Sequence, residues 1–137
     1  SFFNAKRSSI QKRYPELKLI NWDAGSLGVI ALGWIIYLIG YEFLFRGIFL
    51  NTSIMAFGLW PAVIINLAIY STLHLYKGLD EAIAAIPFGA FICYLTIESN
   101  SVIPAILVHS VQAISSEFAC IYRNRKMNIN LFGYKLS

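Results

Sequence analysis

Four long apolar runs decide what this chain can fold into: Leu27–Leu50, Ile54–Leu75, Ala82–Ile97 and Val102–Tyr122. None alternates apolar and polar residues as a membrane barrel strand would. Backbone in lipid must satisfy its own hydrogen bonds, so runs of this length read as helices. At about 1.5 Å per residue the first is about 36 Å long, enough to cross a bilayer with some tilt. Composition agrees, with 58% of the 137 residues hydrophobic and 13% charged, against about 25% charged in a soluble domain. The expected fold is all-α, a polytopic transmembrane helix bundle of about four spans. Its expected organisation is a basic lead-in over 1–26, a transmembrane domain over 27–122 and a basic tail over 123–137. Ser1 stands where a Met would start a chain and no signal peptide follows, so further spans are expected upstream.

Charge placement gives the sidedness. Lys6, Arg7, Lys12, Arg13 and Lys18 precede the first run, Lys77 separates the second and third, and Arg123, Arg125, Lys126 and Lys135 follow the fourth. With four spans all of these fall on one side. The other side, Asn51–Ser53 and Glu98–Ser101, has no Lys or Arg. Both ends should therefore face the cytoplasm, with a bacterial plasma membrane as the expected location. Trp22 and Tyr14 are expected interface anchors. The net charge of +4 is then membrane asymmetry, and no basic patch interleaved with aromatics points to nucleic acid. Asp80 is the expected N-cap of the third helix, and Pro104 falls in the first turn of the fourth, where proline is tolerated. Cys93 and Cys120 lie in apolar surroundings without a CxxC pair and are expected as free thiols.

Inside the first run "YEFLFRG" places Glu42 and Arg46 where lipid is expected. A charge at mid-bilayer costs about 2.5–3.5 kcal/mol on insertion scales, so such residues face a bundle interior and pair. At i, i+4 the two share a helical face and can neutralise each other, which is also a sufficient structural role. Asn66, Tyr70 and His74 follow at i, i+4, i+8, and His109, Gln112 and Ser116 at i, i+3, i+7, each set on one face. Interhelical hydrogen bonding would account for both sets. Yet the only two histidines, His74 and His109, share the spans with the ion pair. A carboxylate and two imidazoles converging in a bundle suit acid–base chemistry on water. A metal site is the weaker option, because HExxH is absent and the spacing gives no ligand signature; no cofactor is expected. A small proton or ion pathway is a third use of the same residues. Straight spans would separate Glu42 from His74 in depth, which asks for a break or tilt, for example at Gly40.

"YEFLFRGIFL", "YSTLHLYKGL" and "SVIPAILVHS" resemble, in order and spacing, the three motifs of the CPBP family of intramembrane endopeptidases, the CAAX prenyl proteases and bacteriocin-processing enzymes also called the Abi family. The pattern is EExxxR, FxxxH and HxxxN, and the resemblance covers roughly Ile10 to Tyr122, including a "RYPEL" lead-in. It implies a bundle whose polar centre binds a water that cuts a membrane-proximal peptide or prenylated protein. It also implies that the first glutamate, with the FxxxH histidine, activates the water. The second glutamate pairs with the arginine, and the last histidine and asparagine stabilise the oxyanion. Residue by residue, Glu42 matches the second glutamate, Arg46 the arginine, His74 the middle histidine and His109 the last.

Three positions depart from that pattern. Tyr41 occupies the first glutamate position, Ala113 the asparagine position and Tyr70 the phenylalanine position. A phenol with an unperturbed pKa of about 10 is a poor base at neutral pH. Glu42 is offset by about 100° around the helix from the missing base, and Gln112 is the nearest substitute donor. The residues therefore admit a working peptidase using Glu42, His74 and His109. They also admit a catalytically degenerate scaffold or bacteriocin-immunity-type protein.

Overall fold

The first helix begins at a capping box. In the computed structural model, Asp23 Oδ1 accepts from the Ser26 amide at 2.7 Å while Ser26 Oγ accepts from the Asp23 amide at 3.0 Å. This satisfies amides that a helix start leaves without partners. The Ser26 hydroxyl and amide hold the Asp23 carboxyl below its ordinary value. The structure describes residues 19–124, 127–131 and 134–136. The expectations for Lys6, Arg7, Lys12, Arg13, Tyr14, Lys18, Arg125 and Lys126, and for the "RYPEL" lead-in, lie outside the described residues.

Helix α1 spans Ala24–Glu42 and continues through a π-helical segment, Phe43–Leu50, into α2, Asn51–Phe57. Helix α3 spans Leu59–His74 and ends in a 3₁₀ turn, Leu75–Lys77; α4 spans Leu79–Ser99 and α5 Ile103–Arg123. The architecture is all-α, with four helices long and apolar enough to cross a membrane: Ala24–Phe57, Leu59–Lys77, Leu79–Ser99 and Ile103–Arg123. Their exposed faces carry side chains such as Val29, Leu32, Ile36, Met55, Ile64 and Leu107, which suit a lipid solvent.

The boundary between the first two spans is corrected. Asn51–Ser53 is helical, and the chain turns instead at Gly58, whose φ of +82° is a left-handed conformation that glycine tolerates. The polar trio stays helical because its side chains bond back to their own helix. Asn51 Nδ2 donates to Gly47 O at 2.8 Å and Thr52 Oγ1 to Ile48 O at 2.9 Å. The first helix therefore extends well past Glu42, which removes the depth conflict with His74. No break occurs at Gly40; the irregularity is the wide turn beginning at Phe43. Asp80 is not the N-cap of α4, which is Gly78, but an acidic residue in its first turn, favourable to the helix dipole. Asn100, at φ 49°, closes α4 as a left-handed cap.

The chain divides into two compact units, Tyr37–His109 and the residues flanking it, 1–36 with 110–137. The flanking unit contains a small sheet. Strand β1, Asn21–Asp23, pairs parallel with β2, Asn128–Leu131, which pairs antiparallel with β3, Tyr134–Leu136. In register, Asn21 faces Asn128 and Asp23 faces Asn130. The sheet thus joins residues before the first membrane-length helix to residues after the fourth. Beside it Trp22, Ile30 and Ile121 form a buried core with Leu27, Trp34 and Met127 against them. Trp22 is therefore a core residue, its indole N–H donating to Leu19 O at 3.1 Å, and not an exposed interface anchor.

The unit Tyr37–His109 packs around Leu50, Ala62 and Cys93, flanked by Ile54, Val63 and Ile97. Helix α4 buries a face of mostly small residues, Ala82, Ala85, Gly89, Cys93 and Thr96. Small side chains let helix backbones approach in lipid, where dispersion replaces the hydrophobic effect. The approach is closest at Gly89, where a Cβ would sit 2.9 Å from Tyr70 Cδ1 and 3.0 Å from Leu67 Cδ2. Gly89 thus leaves room for the Tyr70 ring.

Candidate active site

Glu42 ends α1 with its carboxylate turned to two partners. Oε1 lies 2.5 Å from His109 Nδ1 and accepts from Arg46 Nη1 at 3.4 Å, while Oε2 lies 3.2 Å from the same Nη1. The shorter Arg46 contact is a charge contact off the hydrogen-bonding direction, since Oε2 accepts no hydrogen bond. Glu42 and Arg46 are wholly buried and His109 is 7% exposed. A buried carboxylate survives in low dielectric only when paired and hydrogen-bonded, and here the guanidinium and the imidazole N–H together meet that need. With Nδ1–H donating to Glu42, a neutral His109 carries its lone pair on Nε2. The Tyr70 hydroxyl lies 3.5 Å from Nε2, too far to engage that lone pair strongly.

Tyr70 lies between the charged groups. Arg46 Cζ sits 4.4 Å from its ring centroid, a cation–π contact worth about 2 kcal/mol when desolvated. The His74 ring centroid is 4.4 Å away and that of His109 6.0 Å. Tyr41 and Phe88 also present rings to His109, at 6.1 and 5.4 Å. Three aromatic rings thus surround the imidazole and thin the water around it, which strengthens its electrostatic contact with Glu42. Tyr41 itself stacks on Phe45 at 4.5 Å, and its buried hydroxyl has no hydrogen-bond partner among the described residues.

The wide turn that carries Arg46 is held from outside its own ladder. Asn66 Nδ2 donates to Phe45 O at 2.9 Å, and Cys93 Sγ lies 3.5 Å from Asn66 Oδ1. Asn51 Nδ2 also reaches Arg46 O at 3.3 Å. π-Helical segments recur at functional sites, mostly as single turns; this one runs for eight residues and begins directly after Glu42. Gly47 accommodates it by leaving space for the Phe43 ring, 3.3 Å from where its Cβ would be.

Three of the four residues singled out in the sequence meet directly: Glu42, Arg46 and His109. His74 does not join Glu42. Its Nδ1 donates to Tyr70 O at 2.8 Å within its own helix, and its ring packs on Tyr70. Gln112 is exposed, with its amide donating along α5 to Ser116 Oγ at 3.4 Å. Sequence reading passed over Asn66 as a support for the wide turn and Tyr70 as the residue between the histidines. It also passed over Glu117, a wholly buried carboxylate within the fourth span. Among the described residues no three of His, Cys, Asp or Glu gather as metal ligands.

A family model described as Type II CAAX prenyl endopeptidase Rce1-like matches residues 23–114, more than half the chain and all four residues above. The chain belongs to this family. No curated protein and no solved structure matches. As an Rce1-like protein with four membrane-length helices, it is an integral membrane protein. In this Rce1-like unit the buried Glu42 carboxylate fixes the orientation of the His109 ring, with Arg46 on its other side.

Proposed function

We propose that this Rce1-like protein is a membrane endopeptidase that hydrolyses a peptide bond near the C-terminus of a prenylated protein. His109 activates the water. The carrying observation is the 2.5 Å contact of His109 Nδ1 with the buried Glu42 carboxylate. It orients the ring and stabilises the imidazolium that forms when Nε2 takes a proton. As the water oxygen bonds to the scissile carbonyl carbon, its proton passes to Nε2. When the C–N bond breaks, that proton passes to the leaving amine. Arg46 balances Glu42, and His74 is a positioning residue that holds Tyr70. The scheme calls on protein groups and water, with no cofactor.

Sidedness supports access from the cytoplasm. The turns at Gly58 and Asn100–Val102 contain no Lys or Arg, whereas Lys77 and Arg123 mark the opposite ends of the spans. On the positive-inside rule both flanks of the four spans face the cytoplasm.

The test is cleavage of tagged prenylated and leader-type peptides by the protein in liposomes. Glu42→Gln and His109→Ala should each lower kcat by about 10²–10⁴-fold, and His74→Ala by less than either. Equal cleavage by wild type, Glu42→Gln and His109→Ala would overturn the reading. Specific capture of the peptides without cleavage would point to a scaffold instead.

A further inference from the structure

We infer that Tyr41 is the oxyanion donor of this site, standing where the family pattern has its first glutamate. The inference rests on the peptidase reading above. Three observations carry it. First, the Tyr41 hydroxyl is buried and has no hydrogen-bond partner among the described residues. An unsatisfied buried donor costs about 1–3 kcal/mol, so a fold that keeps one needs a use for it. Second, the ring is locked in place, stacked on Phe45 at 4.5 Å and edge-on to Tyr70 and His109 at 6.3 and 6.1 Å. Third, the other donors at the site are set to other tasks: Arg46 Nε and Nη2 also lack hydrogen-bond partners, but that guanidinium is the counter-charge of Glu42. The Tyr70 hydroxyl faces His109 Nε2, and Ala113 has no amide where the pattern has asparagine.

The chemistry follows from these positions. As water adds to the scissile carbonyl, the carbonyl π pair moves onto oxygen. A phenol O–H in fixed orientation donates a hydrogen bond to that oxygen as its negative charge grows. Tyr41 keeps its proton throughout, so the balance of the hydrolysis is unchanged. A donor that is idle in the resting site and engaged as charge develops strengthens only the transition state, which raises kcat and leaves ground-state binding alone. The residue that cannot serve as a base thus serves as the electrophile, with His109 and Glu42 supplying the base.

The experiment uses the full chain in liposomes with a tagged prenylated peptide as probe. It compares wild type with Tyr41→Phe, His109→Ala and a fluorinated tyrosine at position 41. Tyr41→Phe should lower kcat about 10²–10³-fold with KM within two-fold, while its thermal melt lies at or above that of wild type because the unpartnered hydroxyl is gone. The fluorinated phenol, a stronger donor of the same shape, should match or exceed wild type. Tyr41→Phe within three-fold of wild type, beside an inactive His109→Ala, would overturn the donor role and leave the peptidase reading standing. A fluorinated phenol as poor as Tyr41→Phe would also overturn it, because the loss would then be one of packing. No cleavage by wild type would overturn both.

Discussion

Glu42 and His109 are 67 residues apart in sequence, yet their side chains meet at 2.5 Å in a site closed to solvent. The same carboxylate also faces the permanent cation of Arg46, 3.2 Å from its Oε2. Removing the permanent partner therefore has a large and directional cost.

Arg46→Met should destabilise the protein by about 3–5 kcal/mol, because it leaves a buried carboxylate without its counter-charge. Glu42→Gln with Arg46→Met should cost less than the two single changes summed. Unfolding titrations in mixed micelles on the four proteins give the coupling, and strict additivity would show that the pair is not energetically linked.

Asn66→Leu should lower stability by about 1–3 kcal/mol, since the Phe45 carbonyl then loses its buried donor. Activity should fall as well, because the wide turn positions Arg46. Asn66→Asp should fare no better, as a carboxylate cannot donate to a carbonyl. Thermal melts in detergent, read beside peptide cleavage, check both effects.

Gly89→Ala should cost about 1–3 kcal/mol by overpacking, since the new methyl would meet Tyr70 Cδ1 at 2.9 Å. The expected lesion reaches the site, with Tyr70 displaced from Arg46 and His109. Gly33→Ala, where a Cβ meets nothing within 4 Å, is the control. Similar melting temperatures for the two variants would refute the close approach of α3 and α4.

Asp23 gives a pH dependence at the start of the first helix. Its carboxyl titrates below the ordinary carboxylate value of 3.8 because the Ser26 hydroxyl and amide favour the anion. A group depressed in the folded state stabilises it above its unfolded pKa, and that contribution fades as pH falls through the folded value. Amide exchange at Ser26 should be slow at pH 5 and quicken, relative to intrinsic exchange, below pH 3.8. Asp23→Ala should show the quicker exchange at both pH values.

The spans and the ion pair were legible because each rests on local pattern. The third and fourth runs fall within a few residues of Leu79–Ser99 and Ile103–Arg123. Glu42 and Arg46 pair as their i, i+4 spacing requires. The first boundary failed at Asn51–Thr52–Ser53, where polarity reads as a loop but the side chains serve their own helix. The sheet was missed because strands as short as Asn21–Asp23 are made by their distant partner, Asn128–Leu131, and not by periodicity. At the site, the working-peptidase reading set His74 beside Glu42, while packing gives Glu42 to His109. The wide turn at Phe43–Leu50 has no residue signature, so the service Asn66 performs there becomes visible only with the backbone.

Gly58 is the whole connection between the first two spans. A one-residue joint leaves no loop to be carried across a bilayer separately, so the two segments must enter the membrane during biosynthesis as a single hairpin. Asn66 then arrives in the lipid together with Phe45, and Tyr70 together with Arg46. Glu42 and Arg46 are thus paired within the smallest piece of chain that can insert, and only the His109 contact waits for the fourth span.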